Sequence, residues 1–199
     1  MLTGATRSVG RLALTGGAFA LLAHGAWAEN ARVVKDPMIF VEAGIFCPRE
    51  ASGREEAPGT ERGYIDLIDG ELTADFHTTI IPGELGIGFG VRFQLQEGMG
   101  ARTAYIVTEH PPFGSPPVTV ERYATTVYDD SANASLFTFD FPYEVAVGTW
   151  TIGVEIDGEM VLSQEFTIVP PEDSFISADM CRGPALMSCA ASSPSIRPR

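Results

Sequence analysis

The chain is poor in the residues that most often carry chemistry: three histidines, three cysteines and two tryptophans among 199 residues. HxH, HxxxH and CxxC spacings are all missing, and structural or catalytic zinc needs three or four ligands at such defined separations. No serine lies in a G-x-S-x-G turn, so the elbow that activates a hydrolase nucleophile is also lacking. Positive charge is scarce, with 13 Lys and Arg against 26 Asp and Glu and a net charge of -13. Such a surface repels nucleic acid and anionic lipid and favours a cationic partner. Beyond the N-terminus no apolar run approaches the length of a membrane-spanning helix. Amphipathic helical spacing is missing as well.

What is present begins with a leader. Arg7 and Arg11 form a positive n-region, residues 12–23 an apolar run, and Ala26-Trp27-Ala28 a small-x-small cleavage site before Glu29. The run is too short to cross a hydrocarbon core of roughly 30 Å. No cysteine follows it directly and the two arginines are not adjacent, which argues against a lipid anchor and a twin-arginine signal. Residues 1–28 are therefore expected to be a cleaved signal peptide. The mature chain, with a net charge of about -15, is expected to be periplasmic or secreted without membrane insertion.

Strict alternation dominates the rest. It marks strands at 38–47, 64–68 and 72–80, with Asp69-Gly70 as a hairpin turn between the last two. In 85–96, Ile87, Phe89, Val91, Phe93 and Leu95 share one face, while Gly86, Gly88, Gly90 and Arg92 share the other. Further strands follow at 102–109, 117–128 and around Phe137, Phe139 and Phe141. Four prolines in 110–117 exclude a regular element there. Trp150, Ile152, Val154 and Ile156, the turn Asp157-Gly158, and Leu162, Phe166 and Ile168 form a closing hairpin. About nine short strands with turns every 8–14 residues indicate one all-β, antiparallel β-sandwich over 29–171, of about 7–9 strands. The closing hairpin resembles the last two strands of an immunoglobulin-like domain. Residues 172–199, rich in Ser, Ala and Pro, are expected to be a largely irregular tail.

In an oxidising compartment Cys47, Cys181 and Cys189 allow one disulfide. Cys47–Cys181 would tie the tail to the start of the domain, while Cys181–Cys189 would close a short loop within the tail. Two features qualify as binding candidates. Gly86, Gly88 and Gly90 leave a strand face bare for close approach by another strand, a loop or a partner. Phe113 stands between two Pro-Pro pairs beside His110, so a stiff loop 110–117 would present an aromatic ring at little entropic cost. His77 reads as an ordinary sheet residue. The turn Asp129–Asn133 is rich in oxygen ligands but lacks the distal bidentate Glu of a calcium loop.

Gly44-Ile45-Phe46-Cys47, Ala57-Pro58-Gly59-Thr60, Gly86 to Val91, Thr108 to Gly114 and Gly148-Thr149-Trp150-Thr151 together resemble the bacterial domain of unknown function 3859 family, over residues 38–170. The resemblance implies a small, often exported β-domain. It carries over no catalytic residues, because no activity is assigned to that family. The expectation is a non-catalytic binding or structural module without a cofactor, whose partner is another envelope protein or a cationic ligand. Two alternatives compete: a secreted enzyme or metal-handling protein using His110 and nearby carboxylates, and an adhesin or assembly subunit pairing through an open sheet edge.

Overall fold

Ile87, Phe89, Val91, Phe93 and Leu95 are each no more than 1% exposed, so the most regular alternation in the chain forms the wall of its core. The computed structural model describes residues 30–181; the segment expected to be a signal peptide and Cys189 lie outside the described residues. Eleven strands form: β1 (Arg32–Val34), β2 (Met38–Phe46), β3 (Gly53–Glu56), β4 (Tyr64–Leu67), β5 (Ile80–Pro82), β6 (Gly88–Leu95), β7 (Arg102–Phe113), β8 (Val118–Val127), β9 (Asn133–Thr138), β10 (Gly148–Ile156) and β11 (Glu159–Val169). The count exceeds the seven to nine expected because β1, β3 and β5 are only three or four residues long and leave no legible period.

One sheet runs β1-β11-β10-β7-β8, with β5 also on β11; the other runs β2-β6-β9, and β3-β4 is a separate hairpin. All pairings are antiparallel except β5 with β11. The inward residues of both sheets build one core, centred on Trp150, Phe89, Phe139 and Phe166. The fold is an all-β sandwich. The closing hairpin is as expected: Trp150 faces Phe166, Ile152 faces Gln164 and Val154 faces Leu162. At its turn Asp157 and Gly158 have φ of 53° and 82°, the left-handed pair a tight two-residue hairpin requires.

Two sequence expectations are corrected. Residues 72–79 form no strand, Ile80 only opening β5, and Asp69-Gly70 turns no hairpin. Instead β4, at the strand expected over 64–68, pairs with β3, which lies before it where no strand was expected, with Gly53 opposite Leu67 and an Arg54–Asp66 ion pair of 2.8 Å across the hairpin. Residues 68–79 then cross the outside of β2-β6-β9, where Phe76 bridges Ile45 and covers Gly44. His77 is consequently not in a sheet; it lies on this crossing, 3.6 Å from Glu42 and largely exposed.

The second correction concerns 110–117. Strand β7 continues through both prolines to Phe113, and only four residues turn before β8. Glu109 faces Val120 and Phe113 faces Val118, so His110, Pro111 and Pro112 oppose a single residue. The two prolines, which cannot donate to a ladder, are accommodated in this bulge. Residues three apart in a regular strand point to opposite faces; the bulge turns both His110 and Phe113 inward. In the described part of the tail, residues 172–181, a helical turn, α1 (Ala178–Cys181), forms, and Ile176 and Ala178 pack on the core. There Cys181 is bonded to Cys47, the longer of the two pairings considered.

Candidate functional site

At the open side of the sandwich, where β8 and β9 are the outermost strands, a cleft of about 400 Å³ runs between the sheets. From β8 it takes alternate residues first, Glu121, Tyr123 and Thr125, as expected of a strand presenting one face, and then Thr126 and Val127 at the strand's end. From β4 and β9 the lining takes consecutive residues: Tyr64, Ile65, Asp66 and Leu67 on one side, Leu136, Phe137 and Thr138 on the other. Both faces of a strand can line one cavity only where the cavity runs along the strand's edge. The β3-β4 hairpin is therefore a roof held over the edge of β9.

Polar contacts hold that roof. Arg122 donates its backbone N–H to Gly59 at 2.9 Å, and Glu61 donates its own to the Glu121 carboxylate at 2.6 Å. Arg62 closes one end, donating to Asp140, to Asp66 at 3.0 Å and to the Tyr64 hydroxyl at 2.7 Å. Burial opposes the Arg62 charge, but Tyr64, Asp140 and Asp66 outweigh it and keep the guanidinium protonated. Glu144 is 1% exposed and accepts the N–H groups of Asp140 and Phe141 at 2.8 and 2.9 Å. Burial still pushes its carboxyl above the usual range, against those two hydrogen bonds. Outside the cleft mouth, Tyr143 donates to Glu61 at 2.8 Å; lost solvation and that carboxylate raise its hydroxyl to about 12.

The charge balance of the cleft is acidic. Asp66, Glu71, Glu121, Asp140 and Glu144 line it against Arg62 and Arg92, and both arginines are already paired, Arg92 with Glu42 and with Glu71 at 2.9 Å. Among the described residues, no group of three His, Cys, Asp or Glu side chains is placed to hold a metal ion.

None of the binding candidates read from the sequence lines this cleft. Phe113 is not at a loop tip. It is 6% exposed, stacked 4.0 Å from His110 and 5.8 Å from Trp150. Gly88 and Gly90 are not bare either: an added Cβ at Gly90 would collide with the Ser135 carbonyl of β9, and one at Gly88 would meet the Phe46 carbonyl of β2 at 2.8 Å. Close approach does occur on that face, from the protein's own strands. Gly86 precedes β6 with φ of +83°, a turn position suited to glycine.

His110 is 6% exposed and lies 4.8 Å from Trp150. Its Nδ1 is 2.9 Å from the Pro111 carbonyl oxygen, which can only accept, so the proton of that contact sits on Nδ1. Nε2 is then an acceptor with no partner among the described residues. Burial lowers the His110 pKa, opposed by the Pro111 contact and the charge of Glu121. The consequence for stability has a definite sign. Above the ordinary histidine value of roughly 6.5 both states are neutral and stability is complete. Below it the unfolded chain takes a proton that the folded chain refuses, so stability falls with pH until the folded pKa is reached. Urea midpoints of the parent and of His110→Phe, taken from about pH 5 to about pH 7.5, should diverge as pH falls, the variant being the flatter. Glu144 is common to both proteins and cancels. Parallel curves would mean that His110 gains its proton inside the fold.

Fold and cleft together describe a β-sandwich with a roofed, acidic groove along one open edge. The chain belongs to the family described as a domain of unknown function, DUF3859, whose model matches residues 35–168. It is similar to an immunoglobulin-like protein from Pseudomonas aeruginosa, at 18% identity, over 71% of this chain and 99% of that one, with a TM-score of 0.47. No curated protein matches.

Proposed function

We propose that this chain is an exported, non-catalytic binding module, and that the cleft beneath β3-β4 is where it binds a positively charged partner in the cell envelope. The observation that carries the reading is the cleft's charge: five carboxylates line it against two arginines, and since Asp66, Asp140 and Glu71 are those arginines' partners, Glu121 and Glu144 are the acids left without an ion pair among the described residues. A cationic group entering there meets a lining in which carboxylates outnumber guanidinium groups, in a partly desolvated site where charge pairs are stronger than in water. The Cys47–Cys181 bond supports export, because such bonds persist in oxidising compartments. The alternative of an enzyme or metal-handling protein built on His110 loses its central residue, since the ring is stacked in the core and its free nitrogen is shut off from solvent.

Site-directed photocrosslinking in the native host tests the reading. A photoreactive residue at Thr125, on the cleft floor, should capture a partner in the envelope fraction, while one at exposed Val33 on the opposite edge of the sheet should not. Mass spectrometry of the same preparation should show a chain beginning at Glu29. Equal capture from both positions, or recovery of the chain with its leader in the cytoplasm, would overturn it.

A further inference from the structure

Sheet edges are liabilities that proteins normally cover, and this fold places its own chain against the other outer strands of its two main sheets at single points or along short stretches. The edge of β11 is closed along successive stretches by β1 and β5. Strand β2 is bridged at Ile45 by Phe76, and β8 is bonded at Arg122 to Gly59. Strand β9 differs: among the described residues it pairs with β6 only. Its sequence, NASLFT, holds neither proline nor charge, so no device that blunts an edge is built into it. Beyond its end, Phe139 donates its N–H to Ile87 at 3.1 Å, directly opposite in the β6–β9 register. In an antiparallel ladder the residues that bond to the partner alternate with those that do not. Phe137 and Ser135 thus bond toward β6, and Ala134, Leu136 and Thr138 point N–H and C=O outward into the cleft.

We propose that the cleft takes an extended, basic peptide segment of a partner protein as an added strand on β9; this rests on reading the cleft as the binding site and specifies what enters it. Main-chain bonds to Ala134, Leu136 and Thr138 would give affinity, and alternate side chains would give specificity. One set of side chains faces Glu121 between the sheets, and the other reaches the roof side, where Asp66 and Glu71 already pair with Arg62 and Arg92. Arginine or lysine at alternating positions matches that field. A second copy of this chain does not, because its net charge of -13 sets like charge against like.

The binding test uses the oxidised protein and synthetic probes, and it is read beside capture from Thr125. A blocked peptide alternating arginine with valine or threonine is compared with its glutamate counterpart and with the arginine peptide N-methylated at alternate amides. Binding is read by fluorescence anisotropy, and the site by hydrogen exchange of the Ala134, Leu136 and Thr138 amides. The arginine peptide should bind and slow exchange at those three amides, with the glutamate peptide at least roughly tenfold weaker and the N-methylated one lost. Equal binding of the arginine and N-methylated peptides, with capture still seen from Thr125, sinks strand addition and leaves the cleft as a site. Strand addition fails in the same way if no peptide binds while Thr125 captures a partner. Absence of both peptide binding and capture sinks the functional reading itself. A concentration-dependent dimer protecting the same amides replaces the foreign segment with a second copy.

Discussion

Reduction should cost this protein a large part of its stability: the urea midpoint of the dithiothreitol-treated chain is expected to fall by an amount equivalent to roughly 3–5 kcal/mol. The bond joins residues separated by 134 positions, and the loop-closure entropy removed from the unfolded chain grows with that separation, to about 5 kcal/mol at this length. Against a typical total of about 5–15 kcal/mol for a domain, this is a substantial share. The bond also holds the last described helical turn, where Ala178 donates its N–H to the Glu84 carboxylate at 3.0 Å. Ile176 and Ala178 add apolar burial at the same end of the core. The double variant Cys47→Ser/Cys181→Ser should match the reduced parent, and free-thiol titration of the oxidised parent should find Cys189 alone. An unmoved midpoint after complete reduction would mean that α1 stays docked by packing alone and that the unfolded chain gains little freedom from the open bond.

How far this structure was legible in its sequence depended on where the information sits. The core strands were legible because a buried face repeats every second residue: β6, β10 and β11 follow their apolar alternation almost to the residue. The β10-β11 turn was legible because Asp157-Gly158 is chemically suited to positive φ. Asp69-Gly70 carries the same signature and misleads, since Gly70 does have φ of 88° but the chain it turns does not return on itself. A dipeptide specifies local backbone direction; whether strands pair is decided by what lies beyond. The alternation in 72–80 was real too, yet it serves a segment laid across the outside of a sheet. His110 and Phe113 failed for a subtler reason. Four prolines signal irregularity, but a bulge and a loop are both irregular, and only the bulge buries the two rings. The glycine face was read as open to close approach; the approach is real, but it is made by the neighbouring strands.

The cleft was the least legible part. Arg62, Asp66, Glu121, Asp140 and Glu144 come from separate places in the chain and share no spacing. Glu144 alone gave a local hint, since it lies three residues after Phe141, where it bonds back to the N–H groups that start a short 3-10 turn. The cleft exists because β3-β4 folds over the sandwich edge, and that hairpin is held by contacts such as Gly59 with Arg122, more than sixty positions apart in a sequence of 199 residues. Periodicity reports which face of a strand is buried. It carries no trace of a roof.

Replacing Trp150 by Ala should be as damaging as opening the disulfide, for an independent reason. The indole is fully buried, with Phe89, Phe137 and Phe139 at 5.6, 4.8 and 5.7 Å between ring centroids and His110 at 4.8 Å. Removing it takes away aromatic contacts and leaves a cavity that the β10-β11 and β6-β9 ladders cannot collapse around, at a cost of about 3–5 kcal/mol. Its Nε1–H also donates to the Ala146 carbonyl at 2.7 Å, fastening the turn before β10. Trp150→Phe separates the two contributions: it retains much of the ring packing and leaves the Ala146 carbonyl unpaired, at about 1–3 kcal/mol. Urea unfolding followed by circular dichroism should rank the parent above Trp150→Phe and that above Trp150→Ala. The disulfide and the indole share no partner among the described contacts, so their effects should add. Trp150→Ala under reducing conditions then approaches or exceeds the stability of a typical domain and should fail to fold. A reduced Trp150→Ala chain that still unfolds cooperatively would show that the aromatic centre and the covalent tie stabilise the same thing, and that the sandwich closes without either.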